Sequence, residues 1–391
     1  MGKFSDIEQQ ISKLPPVFEV EEISLKDAFG RIIQEDVLAD TDMPPFHKSA
    51  MDGFACRLED IQNELEVLET INAGKVPTFE ISPNTCSKIM TGAMIPAGAD
   101  CVFKIEESEE TDVNRVRCTN QKTKLNICYQ GEDYKTGEVL LTKGTIVNVS
   151  QMAVLAGAGY AKIKVSALPK IAVIATGSEL VEPQDSPTPG KIRNSNASQI
   201  LTQLRKINIQ ADYHGIAGDV FSELTKIFFD ALEKYDYVIF TGGASNGDFD
   251  LIPEILKAYN FKIFWNTTGI KPGNPMTFAQ KGNKFCFGLS GNPVSSMVQF
   301  EMIVKPIIYK LLGASFQPLR IKTELAVEYN RKQADRLELV PVAINSKGQA
   351  ELIPFNGSAH INALAFANAL MEVPEGKNIL VKGEMVYVRP L

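Results

Sequence analysis

Three short turns hold most of the chemistry-bearing residues in the middle of the chain: Thr176-Gly177-Ser178-Glu179, Thr241-Gly242-Gly243-Ala244-Ser245-Asn246-Gly247-Asp248 and Ser290-Gly291-Asn292-Pro293. Each follows an apolar run, and the third directly precedes a long helical pattern. Glycine lets a ligand approach the backbone closely, and the N–H groups at a helix start bind phosphate or another oxyanion. A lone T-G-G is ordinary punctuation between a strand and a helix. Three such turns at one predicted edge point instead to an anionic ligand.

Neither G-x-G-x-x-G nor G-x-x-x-x-G-K-[ST] occurs, so dinucleotide binding and P-loop hydrolysis lose support. Asp248 and Asp250 follow a glycine turn, where they either bind Mg²⁺ with ligand phosphates or cap the helix that starts at Leu251. Lys271-Pro272-Gly273-Asn274-Pro275 contributes a cation held by two stiff prolines beside a glycine, as an oxyanion site needs; the alternative is a plain surface turn. Asp52 stands among small and apolar neighbours in Ser49–Ala55. Burial there would perturb its ionisation, unless it simply caps the turn before Gly53. Thr91-Gly92-Ala93 and Gly131-Glu132-Asp133 read by themselves as loops.

The elements that must position these turns alternate. Strand-like runs Ile171–Ala175, Ala211–Ile216, Tyr237–Thr241, Phe261–Trp265 and Phe285–Leu289 are separated by helix-period segments Ser198–Asn208, Val220–Lys234, Leu251–Tyr259 and Val294–Leu312. That pattern predicts a doubly wound, mostly parallel sheet with its ligand at the carboxyl ends of the strands. Earlier, Ser5–Leu14 and Ser24–Phe29 read as short helices, and Val67–Ile71, Ala99–Ile105 and Val113–Cys118 as strands of a small β-rich domain. Val149–Val165 reads as a helix, a glycine break and a strand that packs back on the N-terminal segment. Past Pro318 the strands Ile321–Glu328, Leu337–Ile344, Gly348–Pro354 and Met385–Val388 predict a C-terminal β-barrel-like domain. The expected class is α/β multidomain. A discontinuous linking domain comprises residues 1–44 with 142–169, followed in order by a β-rich domain (45–141), an α/β domain (170–316) and a β domain (317–391).

With 391 residues the chain is too long for one core. Its net charge of −7 argues against a general nucleic-acid coat, and 44% hydrophobic residues suffice for real cores. The longest apolar run, around Met152–Ala161, is far short of the roughly 20 residues of a membrane span. The start MGKFSDIEQQ lacks the apolar centre of a signal peptide, and Asp6 occupies the place where a myristoylation motif needs Ser or Thr. A cytoplasmic location is expected. Six cysteines without C-x-x-C spacing and only three histidines argue against a zinc site and for reduced thiols.

Taken together, PPFHKSAMDGFA (Pro44–Ala55), IMTGAMIPAGAD (Ile89–Asp100), GEDYKTGEVLL (Gly131–Leu141), ATGSEL (Ala175–Leu180), Ser195-Asn196, TGGASNGDFD (Thr241–Asp250), KPGNPMTFA (Lys271–Ala279) and GLSGNPVSS (Gly288–Ser296) are specific. In this order the chain resembles, over nearly its whole length, the molybdopterin molybdenumtransferases, the group that includes bacterial MoeA proteins and the gephyrin E domain. The resemblance implies an enzyme that takes molybdopterin-AMP and molybdate, and yields molybdenum cofactor and AMP with Mg²⁺ present. The pterin dithiolene supplies its own thiolates, so no protein cysteine cluster is needed. Molybdate, a tetrahedral dianion, calls for cations, hydroxyls and backbone donors.

Carried over by resemblance, Asp248, Asp250, Asp219 and Glu179 handle Mg²⁺ or the pterin and nucleotide groups. Thr176, Gly177, Ser195, Asn196, Thr241, Gly242, Gly243, Ser245, Gly291, Asn292 and Pro293 bind the substrate. Lys271, Asn274, Pro275, Ser295, Arg336 and Ser358 line the molybdate pocket. Asp52, Thr91 and Asp133, with Glu179 and Lys271, belong to the catalytic set. In this family the N-terminal half meets the partner subunit's sheet domain, which implies a homodimer with a shared cleft and an upstream adenylyltransferase as a partner.

The chain departs from the family pattern at several positions. Asn274 stands where K-P-G-K-P has a second lysine, Ser290 replaces the proline of G-L-P-G-N-P, Cys128 replaces an arginine before G-E-D, His47-Lys48 replace Asp-Asn, and Ser178 replaces an acid. These leave a non-catalytic, molybdopterin-binding or scaffolding paralogue as an alternative. A molybdopterin adenylyltransferase is a third reading, but the flanking domains argue against it.

Overall fold

Strands Ile171–Thr176, Tyr237–Thr241 and Lys284–Leu289 are buried at every position except Lys284. Continuous apolar runs of this kind arise when helices cover both faces of a sheet. In the computed structural model, which describes residues 3–120, 122–243, 251–355 and 357–391, they form the centre of a six-stranded sheet. Its order is Ala211–Ala217, Ile171–Thr176, Tyr237–Thr241, Lys284–Leu289, Thr277–Lys281 and Lys262–Trp265. The first four strands are parallel. Ile171, Val173, Tyr237, Ile239, Phe285 and Phe287 share one core with Ala197, Ile200 and Leu204 of helix Asn196–Lys206 and with Val294 and Val298. The residues between them, Ala172, Ile174, Val238, Phe240 and Cys286, share the opposite core with helices Phe221–Lys234 and Leu251–Ala258. The doubly wound expectation is therefore met.

Two details differ from the reading of the sequence. The strand Thr277–Lys281, not foreseen, runs antiparallel between Lys284–Leu289, with which it forms a hairpin, and Lys262–Trp265, which keeps the direction of the other four. The Lys271–Pro275 turn thus lies between two strands of one sheet. The helix expected over Val294–Leu312 starts at Pro293 and contains a wide π turn, Phe300–Val304, before it resumes at Lys305–Leu311. Pro306 accounts for the break, since it cannot donate to the carbonyl of Met302 and its ring crowds that turn.

The chain divides into two compact units. The first comprises Met1–Glu35, Lys143–Met152 and Lys162–Leu391 and holds the α/β sheet. Here helix Phe4–Ser12 buries Phe4, Ile7 and Ile11, and strand Val20–Ser24 pairs with Lys162–Ser166. A second sheet follows the order Ile270–Lys271, Leu337–Ile344, Ala369–Val373, Met385–Pro390, Ile321–Glu324. Ala369–Val373 is a central strand that the sequence reading missed. Ile270–Lys271 comes from the turn between α/β strands, so this sheet takes its edge directly from that turn.

The second unit, Asp36–Thr142 with Ala153–Ala161, is β-rich. Its six-stranded sheet runs Cys101–Lys104, Gly53–Cys56, Thr85–Ile89, Glu64–Ile71, Arg115–Cys118, Ser108–Asp112. One face buries Phe54, Cys56, Leu65, Cys86, Cys101, Phe103, Val116 and Cys118. All six cysteines of the chain are free thiols.

Candidate active site

Parallel register sets the geometry of the first unit. Ala175, Thr241 and Leu289 stand level on adjacent strands, so the turns that follow them emerge side by side. Gly242 at φ +101° fits against Thr176, and Gly291 lies 3.7 Å from Gly242 when measured from where its Cβ would be. The carboxylate of Glu179 folds over Gly177, whose φ is +144°. The buried hydroxyls of Thr176 and Thr241 and the buried amide oxygen of Asn196 have no partner among the described residues. Buried polar atoms are normally paired, so three unpaired ones at one sheet edge are consistent with a place that receives another molecule's polar groups.

Helix Asn196–Lys206 approaches the same edge. Asn196 donates to the Gly291 carbonyl at 2.8 Å, and Ser195 is exposed at the helix start. The residue that caps this helix is Asn194, which accepts from Ala197 N–H at 3.2 Å and was not singled out in the sequence. Asp219, at the end of the neighbouring strand, accepts the Ser178 N–H at 2.8 Å, and Ser178 Oγ accepts the Asp219 N–H at 3.3 Å. Ser245, Asp248 and Asp250 lie outside the described residues, so the carboxylate pair expected to bind Mg²⁺ is not part of this geometry. Among the described residues no cluster of three His, Cys, Asp or Glu side chains is placed to hold a metal.

Beside these tips opens a cleft of about 1250 Å³. Its walls include Glu179, Lys271, Asn274, Pro275, Gly291, Asn292, Ser295, Arg336 and Ser358 from the sequence-nominated set, and Tyr329, Arg331, Lys332 and Glu338, which were not nominated. Among the described residues its cations, Lys271, Arg331, Lys332 and Arg336, outnumber the carboxylates Glu179 and Glu338, which favours an anion although the chain is acidic. The Arg336 Nε lies 3.3 Å from Asp335 but makes no hydrogen bond. The Ser358 carbonyl accepts the Val294 N–H at 3.0 Å, joining the C-terminal loop to the first turn of the helix from Pro293.

Gln299 is the hidden organiser of this wall. Fully buried, it donates to the carbonyls of Gly273 (3.0 Å) and Pro275 (2.7 Å) and accepts the Ser290 N–H (2.8 Å). A proline at position 290 would have no N–H to give, so the serine departure creates a bond that ties the two turns together. Asn274 is also fixed: its side-chain oxygen accepts the Thr268 N–H at 2.8 Å, while Thr268 Oγ1 donates to Gly273 O at 2.6 Å.

In the second unit, three nominated segments converge. Asp52 accepts from both the backbone N–H (2.7 Å) and the hydroxyl (2.8 Å) of Thr91. Gly131 N–H donates to Pro44 O at 3.0 Å and Asp133 N–H to Met43 O at 3.0 Å, which holds that loop to the start of the Pro44–Ala55 segment. Asp52 is exposed rather than buried as expected, and the Thr91 backbone and hydroxyl bonds hold its carboxyl below the usual range. His47, Lys48 and Cys128, departures all, are neighbours: Lys48 pairs with Cys128 across strands, and the His47 ring meets Tyr129 edge-on. Burial, and then Glu132, pushes the Cys128 thiol up.

Comparison with known proteins adds lineage. Residues 3–159 match the family model "MoeA N-terminal region (domain I and II)", residues 172–310 "Probable molybdopterin binding domain" and residues 325–391 "MoeA C-terminal region (domain IV)". A molybdopterin molybdenumtransferase of Staphylococcus epidermidis is 39% identical over 376 residues, covering 94% of this chain and 90% of that protein. The Staphylococcus aureus protein of that name is 36% identical over 393 residues, covering 98% and 93%. A crystal structure of the molybdopterin biosynthesis MoeA protein of Pyrococcus horikoshii matches with a TM-score of 0.83 at 29% identity, covering 100% of both chains. The chain belongs to the molybdopterin molybdenumtransferase family.

Proposed function

We propose that this enzyme of molybdenum cofactor biosynthesis inserts molybdenum from molybdate into molybdopterin-AMP and releases AMP. The observation that carries the reading is the cleft in which Lys271, Asn274, Ser295, Arg336 and Ser358 meet Glu179 of the first glycine turn and Ser290, Gly291 and Asn292 of the third. The turns take the anionic and polar groups of the pterin nucleotide. Their unpaired Thr176, Thr241 and Asn196 atoms offer hydrogen bonds at fixed positions, where orientation replaces random encounter. Lys271 and Arg336 hold the molybdate dianion beside them, and charge-assisted bonds of this type are roughly twice as strong as neutral ones.

Mg²⁺ belongs to the proposal with Asp219, Asp248 and Asp250 as its holders. When bound, it neutralises charge on the phosphoanhydride as AMP departs. Asp219 has one oxygen committed to the Ser178 N–H, so its carboxylate has a fixed orientation at the sheet edge. The four-part domain division given by the sequence, and a cytoplasmic location in keeping with free thiols, are also part of this reading.

Asp52, Thr91 and Asp133 act, in this reading, from one subunit of a homodimer on the sheet domain of the other. Mixing two impaired variants, Asp52→Asn and Lys271→Ala, at a molybdate concentration too low for the lysine variant alone, then restores activity through heterodimers; no recovery on mixing contradicts a shared cleft. An upstream adenylyltransferase supplies the nucleotide substrate. The deciding experiment supplies purified protein with molybdopterin-AMP, Mg²⁺ and molybdate, and measures AMP and active cofactor. No AMP at high molybdate sinks the reading.

The scaffolding alternative draws on Asn274, whose side chain brings no charge to the cleft. It is supported if the parent protein is dead while Asn274→Lys is active. ATP consumption with free molybdopterin would instead support adenylyl transfer.

A further inference from the structure

We infer that Glu338 is a positioning residue for oxyanion capture, its carboxylate fixing the ammonium of Lys271 at the cleft wall. The inference rests on the proposed molybdate site. Strand Ile270–Lys271 pairs in parallel with the start of Leu337–Ile344, with Lys271 directly beside Glu338. Glu338 Oε1 lies 2.9 Å from Lys271 Nζ, and Oε2 lies 3.2 Å from Arg331 Nη1. The side chains of Glu338 and Arg331 are only 8% and 3% exposed, whereas Lys271 is 42% exposed.

These three side chains play unequal parts. Arg331 is consumed by the wall: it donates to the carbonyls of Lys377 (2.9 Å), Arg336 (3.0 Å) and Pro374 (2.6 Å) as well as to Glu338. It anchors the carboxylate and has little left for a ligand. Tyr329 packs against the same carboxylate, and its phenol is pushed up first by burial and then by Glu338. Glu338 is thereby held from behind by Arg331 and presents its other oxygen to Lys271. A lysine has three donors on a flexible stem; with one on Glu338, two remain for the cleft. Restricting that stem before the anion arrives removes an ordering cost from binding.

Glu338→Gln tests this. Glutamine keeps an acceptor for Arg331, whose three carbonyl partners also remain, but gives up the charge that attracts Lys271. Calorimetric titration of the full chain with molybdate, together with the molybdate dependence of AMP release, should show Kd and KM raised about tenfold with kcat within about twofold. In a Lys271→Gln background the same change should add nothing further. An unchanged or lowered KM, or additive effects in the double variant, overturns the inference. Should the glutamine variant not fold, Glu338→Asp retains charge for Arg331 and draws the carboxylate away from Lys271; a raised molybdate Kd supports the role and an unchanged one refutes it. Failure of the unaltered protein to bind molybdate would overturn the site assignment itself, whereas normal binding with insensitive variants would overturn only the role of Glu338.

Discussion

Gly242 and Thr176 approach so closely that a Cβ on Gly242 would stand 2.3 Å from the Thr176 carbonyl oxygen. The two turns can emerge together only because one of them has no side chain there, and because φ of +101° suits glycine. Gly242→Ala should therefore cost about 2–3 kcal/mol in strain, lower the unfolding temperature and spread the strand ends. Calorimetry and molybdopterin binding check this; a variant with normal melting and normal binding would contradict the close fit.

Lys271→Ala removes an exposed cationic wall residue and leaves the glycine turns alone. The molybdate requirement should rise about 10- to 100-fold, the worth of a charge-assisted bond, with a much smaller change in pterin affinity. Equal losses in both would show that Lys271 is not specific to the oxyanion.

The Asp52–Thr91 pair predicts a pH dependence. Because the folded carboxyl titrates below its ordinary value of 3.8, its contribution to local order is complete above that value and is lost as pH falls through the lower folded one. In an NMR titration the Thr91 amide signal should move with a midpoint under 3.8. A midpoint at or above that value would refute the hydrogen-bonded carboxylate, and Asp52→Asn should abolish the titration.

Gln299→Leu deprives the Ser290 N–H and the Gly273 and Pro275 carbonyls of their common partner. At about 1–3 kcal/mol for a buried group left unpaired, a loss of about 3 kcal/mol is expected, with both cleft turns loosened. Denaturant unfolding and hydrogen exchange at Ser290 measure it. A Ser290→Pro change should remove one of these bonds and cost less.

Much of the fold was legible because burial on two faces leaves a mark in sequence. The Ile171, Tyr237 and Phe285 strands had to be apolar throughout, and the residue after each had to be small enough for the next turn to fit. Thr277–Lys281 and Ala369–Val373 were missed because their strand character comes from pairing: a hairpin with Lys284–Leu289 in the first case and a central slot between two longer strands in the second.

The site divides in the same manner. Sequence alone determined the turn chemistry, since glycine, proline and a lysine at fixed spacing dictate local backbone shape and a local charge. It carried no sign of Gln299, Arg331 or Glu338: a glutamine within an apolar helix and an Arg and Glu in an ordinary β segment belong to no motif. Tertiary structure alone selected them, because a buried amide finds its three partners and Glu338 finds Lys271 only when helix packing and strand register bring distant segments into contact.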